Sequence, residues 1–367
     1  MLRSLKIENF RCFQNFELQQ LGRINLLVGE NNSGKTSILE AVQLLTAQSN
    51  LESLSAVMVG RGEYVLNDEH NNSREQLDIS HLFYNHEVDV GSKFSISSNN
   101  NKEVVSVSIE YKEWTDKQIS RFASLRDQDF DGVPHIALVV EWLGQENGKI
   151  ELPLSSINGI PSHYLDRGRQ DSKTLGTKTQ FVTSSSLTKE NMIKLFDQFV
   201  LNPEEEMVTK SLQTIEPSIQ RLATVNSNKY RYAEAHSGFV VKLANSNQRI
   251  PIGSMGDGIW RMLGLTLTIL NAKDGVLLVD EIDTGLHFST MSNMWKLIWE
   301  TAKRLNVQVF ATTHSDDCWK SLADIANLDN PSEDGIMIHR IEKGKSHSIA
   351  FTERQVAIAV EQEIEVR

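Results

Sequence analysis

The stretch INLLVGENNSGKTS, residues 24–37, constrains the fold more than any other part of the chain. A mostly apolar run, Ile24–Val28, meets a glycine turn. Ile38, Leu39, Val42, Leu44 and Leu45 then follow at helical spacing, so a buried strand passes through a loop into a helix. The loop fits G-x-x-x-x-G-K-[ST] at Gly29, Gly34, Lys35 and Thr36, with Asn31, Asn32, Ser33 and Ser37 completing it. Glycines let backbone N–H groups converge on phosphate oxygens, and the helix N-terminus behind them adds a favourable field. In this pattern Lys35 neutralises the β- and γ-phosphates of a nucleotide and the Thr36 hydroxyl ligates Mg2+. A glycine turn without a ligand would give the same letters; the strand before it and the helix after it favour the phosphate site.

The rest of the chain is built around that unit. The 367 residues leave room for two compact domains. Strand-like runs SLKIENF and CFQNFEL come first, and from about residue 51 polar loops separate the β-like runs KFSIS, VVSVSIEY, IALVVEWL and KIELPL. The last two flank GQEN, a hairpin turn. A helix is expected from NPEEE, with Asn202 as its cap and Pro203 in its first turn, and EPSIQRL reads as a further helical turn or two. YRYAEA and FVVKLA read as strands. After them come a helix, the strand GVLLVDE, a long helix around MSNMWKLIWETAKRL, the strand VQVFATTH and another helix. A hairpin in IMIHRIEKGKSHSIAFT and a short final helix end the chain.

Strands alternating with helices predict an α/β fold: a mixed, mostly parallel sheet with helices on its faces, split by an inserted β-rich and helical lobe. The expected division gives residues 1–60 and 236–367 to the two halves of the nucleotide domain. Residues 61–180 form the β-rich lobe and 181–235 a helical subdomain. No sustained heptad pattern occurs, so a compact lobe is expected and not a coiled-coil arm.

Composition narrows the setting. A formal charge of −11 speaks against a chain that wraps nucleic acid over its whole surface, although a local basic face remains open. No apolar run approaches the ~20 residues that span a bilayer. MLRSLKIENF lacks the apolar stretch of a secretory signal, so no membrane association and a cytoplasmic location are expected. Cys12 and Cys318 indicate no disulfide framework, and the ten histidines form no metal-spaced cluster with them.

Two further places carry chemistry. Val276–Val279 read as a strand buried on both faces, and Asp280 and Glu281 emerge at its carboxyl end, where open α/β sheets bind ligands. Asp280 is expected to hold Mg2+ through water, and Glu281 to polarise the attacking water as general base. His314 ends another apolar strand and is expected to reach the γ-phosphate; standing alone, such a histidine is more often structural. The second place is IPIGSMGDGIWRMLGL, Ile250–Leu265, where three glycines and Ser254 lead into a helix. It has the form of an anion cradle without a lysine. Arg261, one turn further on, could approach phosphate, but a solvated helix face is the preferred reading.

Taken together, strand–GENNSGKTS–helix, a large insertion, GSMGDG, LLVDEIDTGLH and ATTHS resemble the ABC-type ATPases of the RecF and SMC (structural maintenance of chromosomes) class. The likeness is nearest to the ATPase module of overcoming-lysogenisation-defect (OLD)-type proteins and related stand-alone bacterial ATP-binding proteins. It covers roughly residues 1–60 and 180–320. The resemblance implies hydrolysis of ATP to ADP and phosphate with Mg2+, by a homodimer docked head to tail through ATP. Ser254, Met255, Gly256 and Gly258 would then close on the γ-phosphate held by the facing subunit, where a second lysine is redundant. SMGDG departs from the family's usual serine-glycine-glycine form, which leaves the contacting atoms open.

Asp283 takes the D-loop position. For Arg11 and Phe13, contact with base or ribose and ordinary core or surface packing are both open. For the family's glutamine loop, DISHLF around His81 and TQFVTSS around Gln180 are both candidates. OLD-type proteins commonly continue into a topoisomerase–primase nuclease domain. Residues 315–367 hold a hairpin, a helix and no clustered acids, so nuclease activity is not expected. The implied role is a nucleotide-gated clamp or switch in DNA repair or anti-phage defence, acting on DNA or a separately encoded effector. A nucleotide-stabilised scaffold for a nuclease or toxin, with little turnover, is the alternative.

Overall fold

The computed structural model describes residues 1–65, 76–99, 101–115, 135–144, 146–155, 158–166, 176–185, 187–225, 238–246, 248–326 and 334–366. The strands of the first half are β1 (Leu5–Phe10), β2 (Phe13–Leu18), β3 (Ile24–Val28), β4 (Gln76–Asp78), β5 (Lys93–Ser98), β6 (Glu103–Tyr111), β7 (Ile136–Leu143), β8 (Gly148–Leu154) and β9 (Gly159–Pro161). Those of the second half are β10 (Thr179–Val182), β11 (Ile219–Thr224), β12 (Phe239–Leu243), β13 (Arg249–Pro251), β14 (Val276–Val279), β15 (Gln308–Thr312), β16 (Ile336–Arg340) and β17 (Ile349–Thr352). The helices are α1 (Lys35–Ala47), α2 (Glu52–Val59), α3 (Ser162–Asp166), α4 (Lys189–Asp197), α5 (Pro203–Gln213), α6 (Asp257–Asn271), α7 (Phe288–Leu305), α8 (Asp316–Ala326) and α9 (Glu353–Glu361).

One sheet carries the phosphate loop. Its order is β10-β14-β15-β3-β16-β17, parallel throughout except where β17 runs back along β16. Its inner strands are buried on both faces, which is why VLLV in β14 shows no polar alternation. Side chains still alternate between two cores. Ile24, Leu26 and Val28 of β3 point into one and Leu27 into the other; Leu277 and Val279 of β14 oppose Val276 and Leu278 in the same way. Helices α6, α7 and α8 fill the first core, with Trp295 and Trp319 fully buried.

The second core lies between this sheet and another. Strands β1 and β2 join β5–β8 in an antiparallel sheet of order β2-β1-β5-β6-β7-β8, so residues before the phosphate loop pair with residues 93–154. Helix α1 is wedged between the two. Its Ile38, Leu39, Ala41, Val42, Leu44 and Leu45 share a core with Phe10, Phe16 and Phe94 on one side and Leu278 and Phe310 on the other. A helix apolar on nearly every face belongs in such a place, and ten of its 13 residues are buried.

Two local expectations are corrected, and a third falls outside the described residues. The segment at 219–224, read as helical, is β11, paired antiparallel with β12; Ile219 and Leu222 face the core and the pairing outweighs any helical spacing. Asn202 stands at the N-cap position of α5 but makes no capping bond. Its Nδ2 donates to Gln198 O at 2.8 Å, and Glu205 instead accepts the Leu201 amide at 2.8 Å. YRYAEA, residues 230–235, lies outside the described residues. Among the described residues no helix is long and apolar enough to cross a membrane.

Candidate nucleotide site

The phosphate loop joins β3 to α1, and its geometry follows from what packs beneath it. Gly34, the N-cap of α1, has φ +98°, and a Cβ there would lie 2.4 Å from the Phe13 ring and 2.7 Å from Cys12 Sγ. Only glycine fits. Lys35 Nζ donates to Gly29 O at 2.8 Å and Glu30 O at 2.7 Å, and lies 3.5 Å from His314 Nδ1. Burial lowers its pKa to about 8, a shift opposed by the nearby carboxylates of Asp280 and Glu281. Ser33 Oγ is buried, with no hydrogen-bond partner among the described residues, in a loop whose chemistry is to meet phosphate oxygens.

The facing wall comes from two parallel neighbours. Register Val279↔Ala311 between β14 and β15 brings Asp280 and Glu281 level with Thr312, Thr313 and His314. Thr36 Oγ1 lies 3.2 Å from both Asp280 carboxylate oxygens, so helix α1 and strand β14 meet at a hydroxyl and a carboxylate. Thr312 Oγ1 donates to Asp280 Oδ1 at 2.6 Å and accepts the Glu281 amide at 2.8 Å. Thr313 Oγ1 donates to Asp283 Oδ1 at 2.6 Å. The His314 pKa is pushed down by burial first and by the charge of Lys35 second, which keeps the imidazole neutral at pH 7. Asp280, Glu281, Thr312 and His314 line a cleft of about 790 Å3 together with Asn32–Ser37.

Not every expected residue enters that cleft. Asn31 is exposed at the outer turn of the loop. Ser254 is exposed in a short 3-10 turn, Ile252–Met255. Gly256 follows at φ +93°, also exposed, with nothing within 4 Å of where a side chain would stand. Gly258 backs onto the Gly285 carbonyl. None of the three lines the cleft of its own chain. Asp283 accepts a hydrogen bond from Thr313, and neither lines the cleft. Gln180 lies near the start of β10 with its Nε2 on Thr179 O, while the His81 ring sits 3.2 Å from that of His86 on the cleft rim. Phe13 stacks on Phe16 at 4.5 Å beneath Gly34 and is core.

Two roles are open for Arg11 in the sequence, and Glu40, Glu63 and Arg61, which gather with it, were missed. Arg11 turns inward, donating to Glu40 at 3.1 Å, to Glu63 and to His81 O at 3.0 Å. Arg61 grips Glu40 from the other side at 2.6 Å and reaches Ser37 Oγ at 3.2 Å. Two arginines and two glutamates thus form a partly buried ionic floor beside the phosphate loop. Glu40 in an otherwise apolar helix was the available signal. Tyr84–Glu87 supply the cleft rim on that side. Arg261 is corrected outright: it is not solvated but 2% exposed, and donates to Thr183 O at 2.8 Å, Asp280 O at 2.9 Å and Glu281 O at 2.8 Å. Burial holds its pKa down to about 10, so it remains charged at neutral pH.

A larger concavity of about 1250 Å3 lies on the outer face of the antiparallel sheet. Its lining mixes Lys6, Lys93 and Lys149 with Glu8 and Glu141, and no residue of the phosphate loop is among them.

A phosphate loop after a central parallel strand, an acidic pair ending the neighbouring strand but one, and a histidine ending the strand between them mark a P-loop NTPase fold. The chain belongs to the family described as "AAA domain, putative AbiEii toxin, Type IV TA system", which it matches over residues 24–317. It is 23% identical to an "ATP/GTP phosphatase" of Helicobacter pylori over 337 residues, 86% of each chain. It is 48% identical to the DNA replication and repair protein RecF of Rickettsia massiliae over 52 residues, 14% of each. Among solved structures, the SMC head domain from Thermotoga maritima is similar at a TM-score of 0.44 and 11% identity, over 96% of this chain and 98% of that one. The SmcHead bound to the C-winged helix domain of ScpA is similar at 0.48 and 15% identity, with the same coverage.

Proposed function

We propose that the chain hydrolyses ATP to ADP and phosphate as a switch formed by two copies docked head to tail. The observation that carries this reading is a contrast: Lys35, Thr36, Asp280, Glu281 and His314 share one cleft, while Ser254 and Gly256 stand exposed outside it. The amides of residues 29–36 and Lys35 hold the β- and γ-phosphates. Thr36 and Asp280, the latter through water, would hold Mg2+; one hydroxyl and one carboxylate suit an ion that keeps waters and takes phosphate oxygens. When bound, it neutralises charge on the β- and γ-oxygens.

Glu281 accepts a proton from the attacking water as the water oxygen bonds to the γ-phosphorus. The bond from that phosphorus to the β–γ bridging oxygen breaks, releasing ADP and phosphate. His314 monitors the γ-phosphate from the end of β15. Ser254 and the amides around Gly256 and Gly258 of the second copy close on the same γ-phosphate, and Asp283 couples the two sites. Cleavage removes the shared ligand and the pair loosens.

The lobe at 61–180 passes this change to DNA or to a separately encoded effector. The family's toxin–antitoxin description and the OLD likeness support anti-phage defence; the short RecF match supports DNA repair. The decisive test is Glu281→Gln with saturating ATP and Mg2+, sized by light scattering. Retained ATP and a stable dimer are expected, whereas a monomer refutes the paired site. GTP in place of ATP tests the choice of base.

A further inference from the structure

Arg261 occupies an unfavourable position for a cation. It lies in the second turn of α6, near the positive end of the helix dipole, and it is 2% exposed. A buried charge persists in such a place only when its surroundings compensate it. Here the compensation includes three backbone carbonyls at the ends of two adjacent strands, Thr183 just past β10 and Asp280 and Glu281 just past β14, and the negative charge of Asp283, Asp280 and Glu281 nearby.

The second of those strand ends is unusual in itself. Glu281 has φ +47°, the left-handed region that non-glycine residues enter at an energetic cost. Its peptide is pinned on both sides. The Glu281 amide donates to Thr312 Oγ1 at 2.8 Å, the Ile282 amide to Thr312 O at 3.0 Å, and the Glu281 carbonyl accepts Arg261. The side chain that emerges lines the cleft.

We propose that Arg261 is a positioning residue for hydrolysis, holding the Glu281 peptide in the conformation that turns its carboxylate into the cleft. Its place on the helix that begins beside Gly256 gives it a second consequence. A force on the exposed Ser254–Gly258 turn reaches Glu281 of the same chain through one rigid helix and one guanidinium. Engagement of the turn by a facing copy therefore tunes the base in the copy that engages, not only the nucleotide opposite. This inference rests on the reading of Glu281 as general base.

The test compares Arg261→Gln, Arg261→Lys and Glu281→Gln in the full chain with ATP and Mg2+, measuring kcat, nucleotide affinity by fluorescent-analogue titration, and Tm. For Arg261→Gln, kcat is expected to fall roughly 10- to 100-fold, less than removal of a general base, with affinity within about threefold. Arg261→Lys restores part of that loss, since an ammonium reaches fewer carbonyls than the planar fork. If Arg261→Gln does not fold, Arg261→Lys decides alone: a drop in kcat of about threefold or more at unchanged affinity supports the role, and unchanged kcat overturns it. Equal losses in kcat and affinity that lysine does not relieve mean a merely structural cation and overturn it as well. Inactive Glu281→Gln beside unimpaired Arg261 variants sinks this proposal alone; Glu281→Gln turning over at the parent rate sinks the general-base reading and this proposal with it.

Discussion

The two glycine turns of this chain differ in how much of their surroundings they bring with them. Around Gly34 nearly every group is already engaged: Lys35 on two carbonyls, Thr36 against Asp280, Asp280 on Thr312, and Arg11 and Arg61 on Glu40 and Glu63. At Gly256 no atom lies within 4 Å of where a side chain would stand, and Ser254 is exposed. The first turn is preorganised by these contacts. The second presents its serine and Gly256 to the outside. A loop whose own chain gives it nothing to hold is suited to a ligand carried by another chain.

That contrast can be broken most sharply by complementation. Lys35→Ala and Ser254→Arg should each lower turnover by roughly 10²- to 10⁴-fold as pure proteins, from opposite halves of one composite site. Mixing the two dead proteins should restore activity, because a mixed pair retains one intact Lys35 facing one intact Ser254. Steady-state phosphate release from the mixture reads this directly, and a mixture as inactive as its parts breaks the comparison.

The next effect concerns the preorganised half alone. Glu40→Ala removes one of the two carboxylates that hold buried Arg11 and the one that holds Arg61, and should cost about 1–3 kcal/mol, read as a lowered midpoint in urea. A third expectation tests the strand behind the loop. His339, on β16 beside Leu27 of β3, is fully buried, and burial lowers its pKa to about 4. The unfolded chain binds a proton at this residue below its ordinary value near 6.5 and the folded chain does not. Stability therefore falls as pH drops from 6.5 towards 4, by up to ~3 kcal/mol. His339→Gln should flatten that slope of Tm against pH. The smallest effect belongs to the outward turn: Ser254→Arg should shift stability by no more than ~0.5 kcal/mol, measured on the same protein that has lost turnover.

What could be read from the sequence follows the same division. The phosphate loop, the acidic pair and the strand-end histidine are each contiguous, and an apolar run before each tells which end of a strand it occupies. The parallel sheet was legible for the same reason. The groups that hold these residues in place were not. Arg261 and Glu281 are twenty positions apart, and an arginine on a helix gives no sign of whether it faces water or a neighbouring strand's carbonyls. Arg11, Glu40 and Arg61 are charges in unrelated segments, and only the packing of β1, α1 and the end of α2 brings them together. At β11, pairing with β12 decided what local pattern could not. Thr312 and Thr313 look like ordinary strand residues until β15 lies beside β14.

The wedged position of α1 has a mechanical meaning. Its first residue stands in the phosphate loop, and its flanks are packed against two sheets at once, in an interior too dense to absorb a shift locally. The helix is thus placed as a shared axle: a tilt of its N-terminus would be transmitted to the antiparallel sheet.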